Sequence, residues 1–308
     1  MRLLLFVAAI TAASLGYAQD KIYVSVAGND RGPGTIDRPL KTISTALNRA
    51  ADKTGDLTIY IMAGQYSLDS TINISSETYR LHSLMIEAYH GGKVEITGSI
   101  RIKPVWQPYK NGILKAHVDL KDAPDQLFFN GKSLSMARYP NYDSNAGVYH
   151  GTAADAFSSQ RARSWKDPAG GYMHALHAGE WGDFHYLITG KNAGDSLEYE
   201  GGWQNNRPAK MHTRYRFVEN IFEELDAPGE WFYDKHTKTM YLYPPPDADL
   251  KTADLSVSRL TDLIHINGTP QHPVRNITIR GIVFTQTART FMLVKEPLLR
   301  SDWRIYRG

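Results

Sequence analysis

The chain of 308 residues contains no cysteine. This absence excludes disulfide bonds, a catalytic thiolate and any zinc site built on thiolates. The chain also has little excess charge, because 35 lysine and arginine side chains stand against 32 aspartate and glutamate side chains. Such a balance does not predict binding to nucleic acid or to an anionic membrane. We therefore expect neither nucleic acid nor a membrane among its partners.

The N-terminal apolar run is too short to cross a membrane. One arginine precedes apolar residues 3–13, whereas a helix must span a hydrocarbon layer about 30 Å thick. Gly16 and Ala18 occupy the small-residue positions of a signal-peptidase site. The pattern favours a signal peptide over residues 1–18 rather than an anchor or a buried helix. We expect a secreted or periplasmic protein whose mature chain begins at Gln19.

A short helix followed by strands is predicted at the start of the mature chain. Asp37 can cap this helix and Pro39 suits its first turn. The next stretch, GDLTIYIMAGQY, alternates apolar and polar residues, as a strand with one buried face does. Ile59 and Ile86 lie 27 positions apart, a spacing typical of solenoid repeats. A solenoid has an open apolar end, and the lone helix is suited to cover it. The apolar residues of the helix recur at helical spacing and are Leu40, Ile43, Ala46, Leu47 and Ala50.

Several stretches carry a resemblance to a known family. The segments IYVSVAGNDRGPGTIDRPLKTISTAL and GDLTIYIMAGQYSL look like the first part of right-handed parallel β-helix proteins that act on polysaccharides. Further on, QLFFNGKSLSMARYPN and ENIFEELDAPGEWFYD resemble the secreted bacterial branch around glycoside hydrolase family 141. The resemblance implies an all-β fold: a right-handed parallel β-helix with an N-terminal helical cap and an inserted β-rich or irregular domain. It also implies fucosidase or xylanase activity on plant cell-wall glycans.

The chain is predicted to divide into four parts. Asn130-Gly131 between apolar runs indicates one hairpin, and GEWFYD and TMYLYPP indicate a second. Residues 144–215 show no sustained period, which predicts long loops or an insertion. The expected parts are a signal peptide at 1–18, the cap and first coils at 19–125, an inserted hairpin and loop domain at 126–255, and resumed coils at 256–308.

Acidic residues are the first candidates for chemistry, because glycoside hydrolysis usually needs two carboxylates. Glu219 and Glu223 are four positions apart and would share a face if that stretch is helical. A solvated polar face is the alternative interpretation. If the chain is itself catalytic, the candidate acids are Asp183, Glu219 and Glu223.

The stretch GEWGDFHY is the sharper candidate for substrate binding. In a strand, Trp181, Asp183 and His185 would point the same way. The indole ring could stack on a sugar while the polar groups bind hydroxyls, and Asn206 in a neighbouring loop could add a further contact. The alternative is that the tryptophan packs in the core. Without cysteine or an acid close to its histidines, the chain is predicted to have no metal site and no cofactor.

Three classes of function fit these patterns. The first is a glycoside hydrolase acting on a plant-type polysaccharide or oligosaccharide. The second is a polysaccharide lyase on the same scaffold, which would need lysine or arginine and often calcium. The third is a non-catalytic glycan-binding solenoid.

The last residues, FMLVKEPLLRSDWRIYRG, contain no recognisable terminal cap. We expect the chain to be the N-terminal part of a larger, monomeric enzyme whose catalytic carboxylates lie on later coils.

Overall fold

The structure is a computed structural model that describes residues 20–203, 210–293, 298–300 and 303–304. These residues form strands with two short helices, so the all-β prediction is confirmed. The helices are α1 (Ile43–Ala50) and α2 (Ser159–Ala162), and 3-10 turns stand at Tyr89–Gly91, Val148–His150 and Phe222–Glu224. In chain order the strands are β1 (Asp20–Val24), β2 (Gly55–Ile61), β3 (Gly64–Ser67), β4 (Ile72–Ser75), β5 (Leu81–Ala88), β6 (Val94–Thr97), β7 (Ser99–Ile102), β8 (Gln107–Lys110), β9 (Ile113–His117), β10 (Leu127–Phe129), β11 (Lys132–Ser133), β12 (Ser135–Met136), β13 (Arg138–Tyr139), β14 (Tyr172–His177), β15 (Asp183–Lys191), β16 (Leu197–Gly201), β17 (Met211–Glu219), β18 (Glu230–Asp234), β19 (Thr239–Leu242), β20 (Leu255–Ser258), β21 (Ile264–Asn267), β22 (Ile277–Arg280), β23 (Ile282–Thr285), β24 (Leu298–Arg300) and β25 (Trp303–Arg304).

The described residues group into two compact units. Unit 1 comprises residues 20–97 and 263–285, and unit 2 comprises residues 98–262 and the described residues from 286 onward. The domain boundaries expected from the sequence, at residues 125 and 255, remain a prediction.

Unit 1 is built from parallel strands. Its sheets have the strand orders β1-β2-β5-β22, β3-β6-β23 and β4-β21, and each pairing within them is parallel. Ile22, Ile59, Ile86 and Ile279 stand in one register row across the first sheet. The pairing of Ile59 with Ile86 matches the spacing of 27 positions read from the sequence. Apolar side chains recurring at this spacing therefore stack on one another inside the unit.

The first helix starts later than the sequence suggested. Thr42 caps α1, since its side chain accepts a hydrogen bond from the Thr45 N–H at 3.2 Å. The predicted cap, Asp37, and Pro39 lie outside the helix. The Asp30 carboxylate instead accepts the backbone N–H of Thr42 at 2.9 Å and fixes the chain just before the helix. The cap prediction was wrong because a tertiary contact from Asp30 sets the boundary.

Unit 2 is built mainly from antiparallel strands. Its larger sheets have the strand orders β13-β17-β14-β15-β16, β12-β18-β19-β9-β8 and β11-β10-β20-β7. Both predicted hairpins are present, as β10–β11 and β18–β19. Residues 144–215 do not form only loops, because they contain β14, β15, β16 and most of β17. The interpretation as long loops was therefore wrong, whereas the alternative of a β-rich insertion stays a prediction.

The strands of residues 144–215 escaped detection because both of their faces have partners. On one face, Met173, Ile188 and Val218 pack around the fully buried Trp165. The other face carries polar side chains such as His174, which is also buried. A strand that buries histidine on its second face does not show the simple alternation of apolar and polar residues on which the prediction relied.

Replacing Gly131 with alanine should destabilise unit 2. Asn130 and Gly131 have φ values of 50° and 78°, as a tight hairpin turn requires. An alanine side chain at Gly131 would meet no atom within 4 Å, so the cost is backbone strain of about 1 kcal/mol. The measurement is the free energy of unfolding in urea. Gly147→Ala is the control, because Gly147 has equally open surroundings without a positive φ; equal effects of the two substitutions would contradict the turn assignment.

Candidate functional site

One face of the five-stranded sheet in unit 2 gathers the polar side chains. Glu219 on β17 lies opposite both Arg138 on β13 and Tyr172 on β14. His174, two residues after Tyr172, lies opposite His185 on β15. Residues directly opposite each other, and residues two apart on a strand, share a face of the sheet. The register therefore brings these five side chains together.

Four residues form a continuous set of contacts, the histidine–glutamate cluster of His174, His185, Glu219 and Arg289. His174 Nε2 lies 3.2 Å from Glu219 Oε1, and His174 Nδ1 lies 2.7 Å from His185 Nδ1. Arg289 donates from Nη1 to the same Glu219 oxygen at 2.6 Å. At the other end, His185 Nε2 lies 3.6 Å from Asp183 Oδ2. The contacts thus run from the buried carboxylate of Glu219 through the cluster to the half-exposed carboxylate of Asp183.

The protonation of the cluster follows from its partners. Burial alone would raise the pKa of Glu219, but its hydrogen bonds and charge interactions with His174 and Arg289 outweigh burial and lower it to about 2. Burial and the adjacent His174 lower the pKa of His185 to about 4, although the carboxylates of Asp183 and Glu219 oppose that shift. At neutral pH Glu219 is therefore charged and His185 neutral.

The charge of Glu219 determines one hydrogen-bond direction. A charged Glu219 only accepts, so His174 donates to it from Nε2. The contact between His174 Nδ1 and His185 Nδ1 has one donor and one acceptor, and Nε2 of His185 faces Asp183. The cluster therefore holds the His185 ring in one orientation beside Asp183.

A second buried carboxyl group, on β18 in another sheet of unit 2, has a pKa shift in the opposite direction. Burial raises the pKa of Glu230 to about 8, although the backbone N–H groups of Asp226 and Ala227, each 3.2 Å from Oε2, act against it. Carboxyl groups with opposite pKa shifts are typical of acid–base pairs. However, Glu219 is 9% and Glu230 only 2% exposed, so neither reaches a polymeric substrate in this structure. Glu219 instead holds His174 and Arg289, and Glu230 accepts backbone N–H groups.

A cleft of about 550 Å³ lies beside the cluster in unit 2. The segment 119–125, Tyr172 and residues 257–260 form most of its walls. Asp125 in this wall accepts hydrogen bonds from Ser258 Oγ and from the Arg289 backbone N–H, both at 2.6 Å. Arg289 therefore joins the buried Glu219 to a carboxylate that lines the cleft.

The cleft offers groups that bind and can react with sugars. It contains three carboxylates spaced three residues apart in DLKDAPD, two cationic side chains and one tyrosine ring. Asp119 forms an ion pair with Lys238, whereas Asp125 is fixed by the bonds described above. This site was not predicted from the sequence. The spacing of the three aspartates was the available signal, but no periodic pattern linked them to Arg289, 164 residues after Asp125.

Trp181 does not share a face with Asp183 and His185, as the sequence had suggested. It precedes β15, in the loop after β14, and its ring stacks on His177 with centroids 5.4 Å apart. His177 in turn stacks on Phe184, which lies on the other face of β15 from Asp183 and His185. Trp181 is 59% exposed, so the alternative that it packs in the core is also wrong.

The acidic candidates also separate in the structure. Glu219 ends a strand and Glu223 lies in a 3-10 turn, so the two do not share a helix face. Glu223 is exposed and accepts the Lys166 backbone N–H at 2.9 Å. Its neighbour Glu224 is the buried one, bound by Trp165 Nε1 at 2.7 Å and by an arginine. Asn206 lies outside the described residues.

Within the part of the chain that the structure describes, no three histidine, aspartate or glutamate side chains lie in an arrangement that could hold a metal ion. No described helix is long and apolar enough to cross a membrane.

Comparison with known proteins finds one solved structure that shares the fold of most of the chain. No protein-family model matches the chain. A solved structure described as a glycoside hydrolase superposes with a TM-score of 0.70 and 23% identity, covering 88% of this chain and 51% of that one. Pectate lyase PEL9 of Emericella nidulans is 39% identical over 77 residues, which are 25% of this chain and 18% of the lyase. The chain thus spans about half of the solved hydrolase, and its match to the lyase covers less than a fifth of that protein.

Replacing Glu219 with glutamine should destabilise the fold in a pH-dependent way. At pH 7 the loss should be about 3 kcal/mol, the low end for a broken buried ion pair, because Arg289 keeps its contact with Asp125. Since folding lowers the pKa of Glu219, its contribution is full above its ordinary pKa of 4.5 and is lost as pH falls towards 2. The difference in unfolding free energy between wild type and variant should therefore shrink as the pH falls. Urea unfolding at several pH values measures this difference.

Glu223→Gln is the matched control for this experiment. It removes the same charge from an exposed carboxylate four residues away. It should change the unfolding free energy by less than about 0.5 kcal/mol at every pH. A Glu219→Gln variant as stable as this control would show that the cluster is not held by the carboxylate charge.

Proposed function

We propose that the chain is part of a carbohydrate-active enzyme built on a right-handed parallel β-helix. The superposition on a glycoside hydrolase supports the fold, and the match to a pectate lyase supports the substrate class. The parallel sheets of unit 1, with isoleucines in register every 27 positions, are what stacked coils would produce. Export through residues 1–18 belongs to the same proposal, because plant-type polysaccharides are met outside the cell.

The proposed reaction is hydrolysis of a plant-type glycan, as in fucosidases or xylanases of the family 141 type. Water would add across the glycosidic bond, and the leaving oxygen would receive a proton from a carboxylic acid. The observation that carries this proposal is the cleft in which Asp125 is fixed by Ser258 and Arg289 beside the ring of Tyr172. A fixed carboxylate next to an aromatic ring is a common arrangement for binding a pyranose.

A polysaccharide lyase is the second candidate, favoured by the cations in the same cleft. Lys121 and Arg259 both line it. In such a reaction a base removes the proton next to a uronate carboxylate, the bond from C4 to the glycosidic oxygen breaks, and a C4–C5 double bond forms. The leaving oxygen then takes up a proton. The sequence match to a pectate lyase adds support to this candidate.

One assay distinguishes these candidates. The full chain is incubated with arabinoxylan, a fucosylated glycan and polygalacturonate, and both reducing ends and ultraviolet absorbance are followed. Hydrolysis produces reducing ends alone, whereas elimination also produces an absorbing unsaturated end. Retardation of the chain in a glycan-containing gel, without product, would indicate glycan binding without catalysis. The absence of both product and retardation would contradict the proposal.

Asp125→Asn tests the assignment of the cleft. It should reduce product release, or gel retardation where no product forms, by at least about tenfold, since a carboxylate–sugar contact is worth roughly 1.5 kcal/mol. Asp143→Asn is the control, because Asp143 is an exposed aspartate of unit 2 that does not line the cleft. Equal effects of the two variants would place the binding site elsewhere.

Trp181 is a separate proposed contact for the glycan. Its exposed ring lies in the loop after β14, stacked on His177, so one face is supported by protein. Trp181→Ala should weaken glycan retention by roughly 1–3 kcal/mol, the scale for losing a ring contact. Trp181→Phe keeps a ring and should retain most of the affinity. Unchanged retention in the alanine variant, with the fold intact by circular dichroism, would remove Trp181 from the site.

A further inference from the structure

The outer face of the first parallel sheet of unit 1 carries an ordered row of side chains. Tyr23 on β1, Tyr60 on β2, Glu87 on β5 and Arg280 on β22 occupy one register position across the four strands. The residues beside them in sequence, such as Ile59 and its row, point into the unit. The row therefore runs across the strands on the outward face of the sheet, opposite to the face that forms the apolar core.

The two tyrosines form an aromatic platform with a third ring. The rings of Tyr23 and Tyr60 stack with centroids 5.2 Å apart and an interplanar angle of 22°. Tyr89 lies edge-on to both, at 5.5 Å from each. All three rings are half-buried, so each keeps some surface accessible to a ligand. The contacts among the rings hold the platform in one arrangement before any ligand binds.

Cationic groups flank this platform. Arg280 binds Glu87 through Nε at 2.8 Å and through Nη2, yet its side chain remains 66% exposed. The Arg280–Glu87 pair carries no net charge, but the exposed guanidinium of Arg280 can still donate hydrogen bonds to an anion. On the other side, Lys21 is exposed two residues before Tyr23, and it makes no ion pair within the described residues. The charge of this surface therefore favours an anionic ligand.

These groups line a single groove of about 520 Å³, which we call the tyrosine groove. Its volume lies in the range of small-ligand sites. From β1 to β22 it crosses three strand spacings, about 14 Å, the length of a short oligosaccharide. Its lining includes Lys21, Tyr23, Tyr60, Glu87, Tyr89 and Arg280.

We propose that the tyrosine groove binds an acidic oligosaccharide, one that contains uronate residues, lying across the strands. Aromatic rings suit the C–H faces of pyranoses, the phenol hydroxyls suit sugar hydroxyls, and Lys21 and Arg280 suit the carboxylates. The groove lies wholly in unit 1 and shares no residue with the cleft of unit 2. It is a binding site and not a second catalytic centre.

The test is titration of the full chain with trigalacturonate, and with xylotriose as a neutral sugar of similar length. Calorimetry gives the affinity and aromatic NMR signals locate the site. Trigalacturonate should bind, should shift the signals of Tyr23, Tyr60 and Tyr89, and should bind more weakly as salt is added. Xylotriose should bind at least about tenfold more weakly, since it has no carboxylates for the two cations.

Charge reversal at Lys21 is the decisive variant. Lys21→Glu should weaken trigalacturonate binding by roughly fivefold or more. Lys41→Glu is the matched control, because Lys41 is an exposed lysine of the same unit that lies just before α1 and does not line the groove. Its affinity for trigalacturonate should equal that of wild type. Equal affinities of the two variants would overturn the proposal.

Two variants of Tyr60 test the contributions of its ring and its hydroxyl separately. Tyr60→Ala should abolish measurable binding, whereas Tyr60→Phe keeps the stacked ring and should weaken binding only a fewfold. Thermal unfolding shows whether each variant is folded.

Three outcomes would each overturn the proposal: equal binding of trigalacturonate and xylotriose, stronger binding of an oligothymidylate, or signal shifts confined to other tyrosines. The outcome is independent of catalysis: the product assay and Asp125→Asn concern unit 2, and binding in the tyrosine groove is measured without turnover.

Discussion

A carboxylate held in the interior of a protein must be neutralised by its surroundings, and in unit 2 this requirement determines how several segments meet. Glu219 ends β17, and its charge is balanced by His174 from β14 and by Arg289 from the segment after β23. The same arginine reaches Asp125, far earlier in the chain. Because an unpaired buried charge costs several kcal/mol, these segments are held where they can supply partners. The wall of the cleft depends on that constraint.

The position of the cleft wall is consequently sensitive to events inside the sheet. Asp125 is fixed by one hydrogen bond from Ser258 on β20 and one from the backbone of Arg289. Protonation of Glu219 would remove the charge that Arg289 balances. The same residue binds Asp125 through its backbone N–H, so the cluster and the cleft wall are linked through Arg289.

Some of the fold was predictable from local patterns. The alternation in GDLTIYIMAGQY and the spacing between Ile59 and Ile86 both follow from one buried face, and the structure pairs these residues. Asn130-Gly131 indicated its hairpin because few other dipeptides tolerate that turn. The cap of α1 and the strands of residues 144–215 were not predictable in this way, since Asp30 and the buried histidines act through tertiary contacts.

The candidate site was predictable only in part, for the same reason. Asp183 and His185 were correctly expected to share a face, because two positions along a strand suffice to show it. Trp181 was assigned to that face as well, but it precedes the strand, where the alternation rule does not apply. The contacts of Arg289 with Glu219 and Asp125 join residues 70 and 164 positions apart. No pattern within a short stretch of sequence indicates contacts between residues so far apart in the chain.

In the first parallel sheet of unit 1, one spacing along the sequence fixes two different rows of side chains. The interior stack of isoleucines and the exterior series of tyrosines, glutamate and arginine are set by the same count of residues between successive strands. Loss of one residue within β5, upstream of Ile86, would turn Glu87 inward and Ile86 outward in a single step. Length changes are therefore tolerable only where the chain turns between sheets. A loop between strands can therefore change length without moving either series, whereas a change within a strand alters the core and the outer surface together.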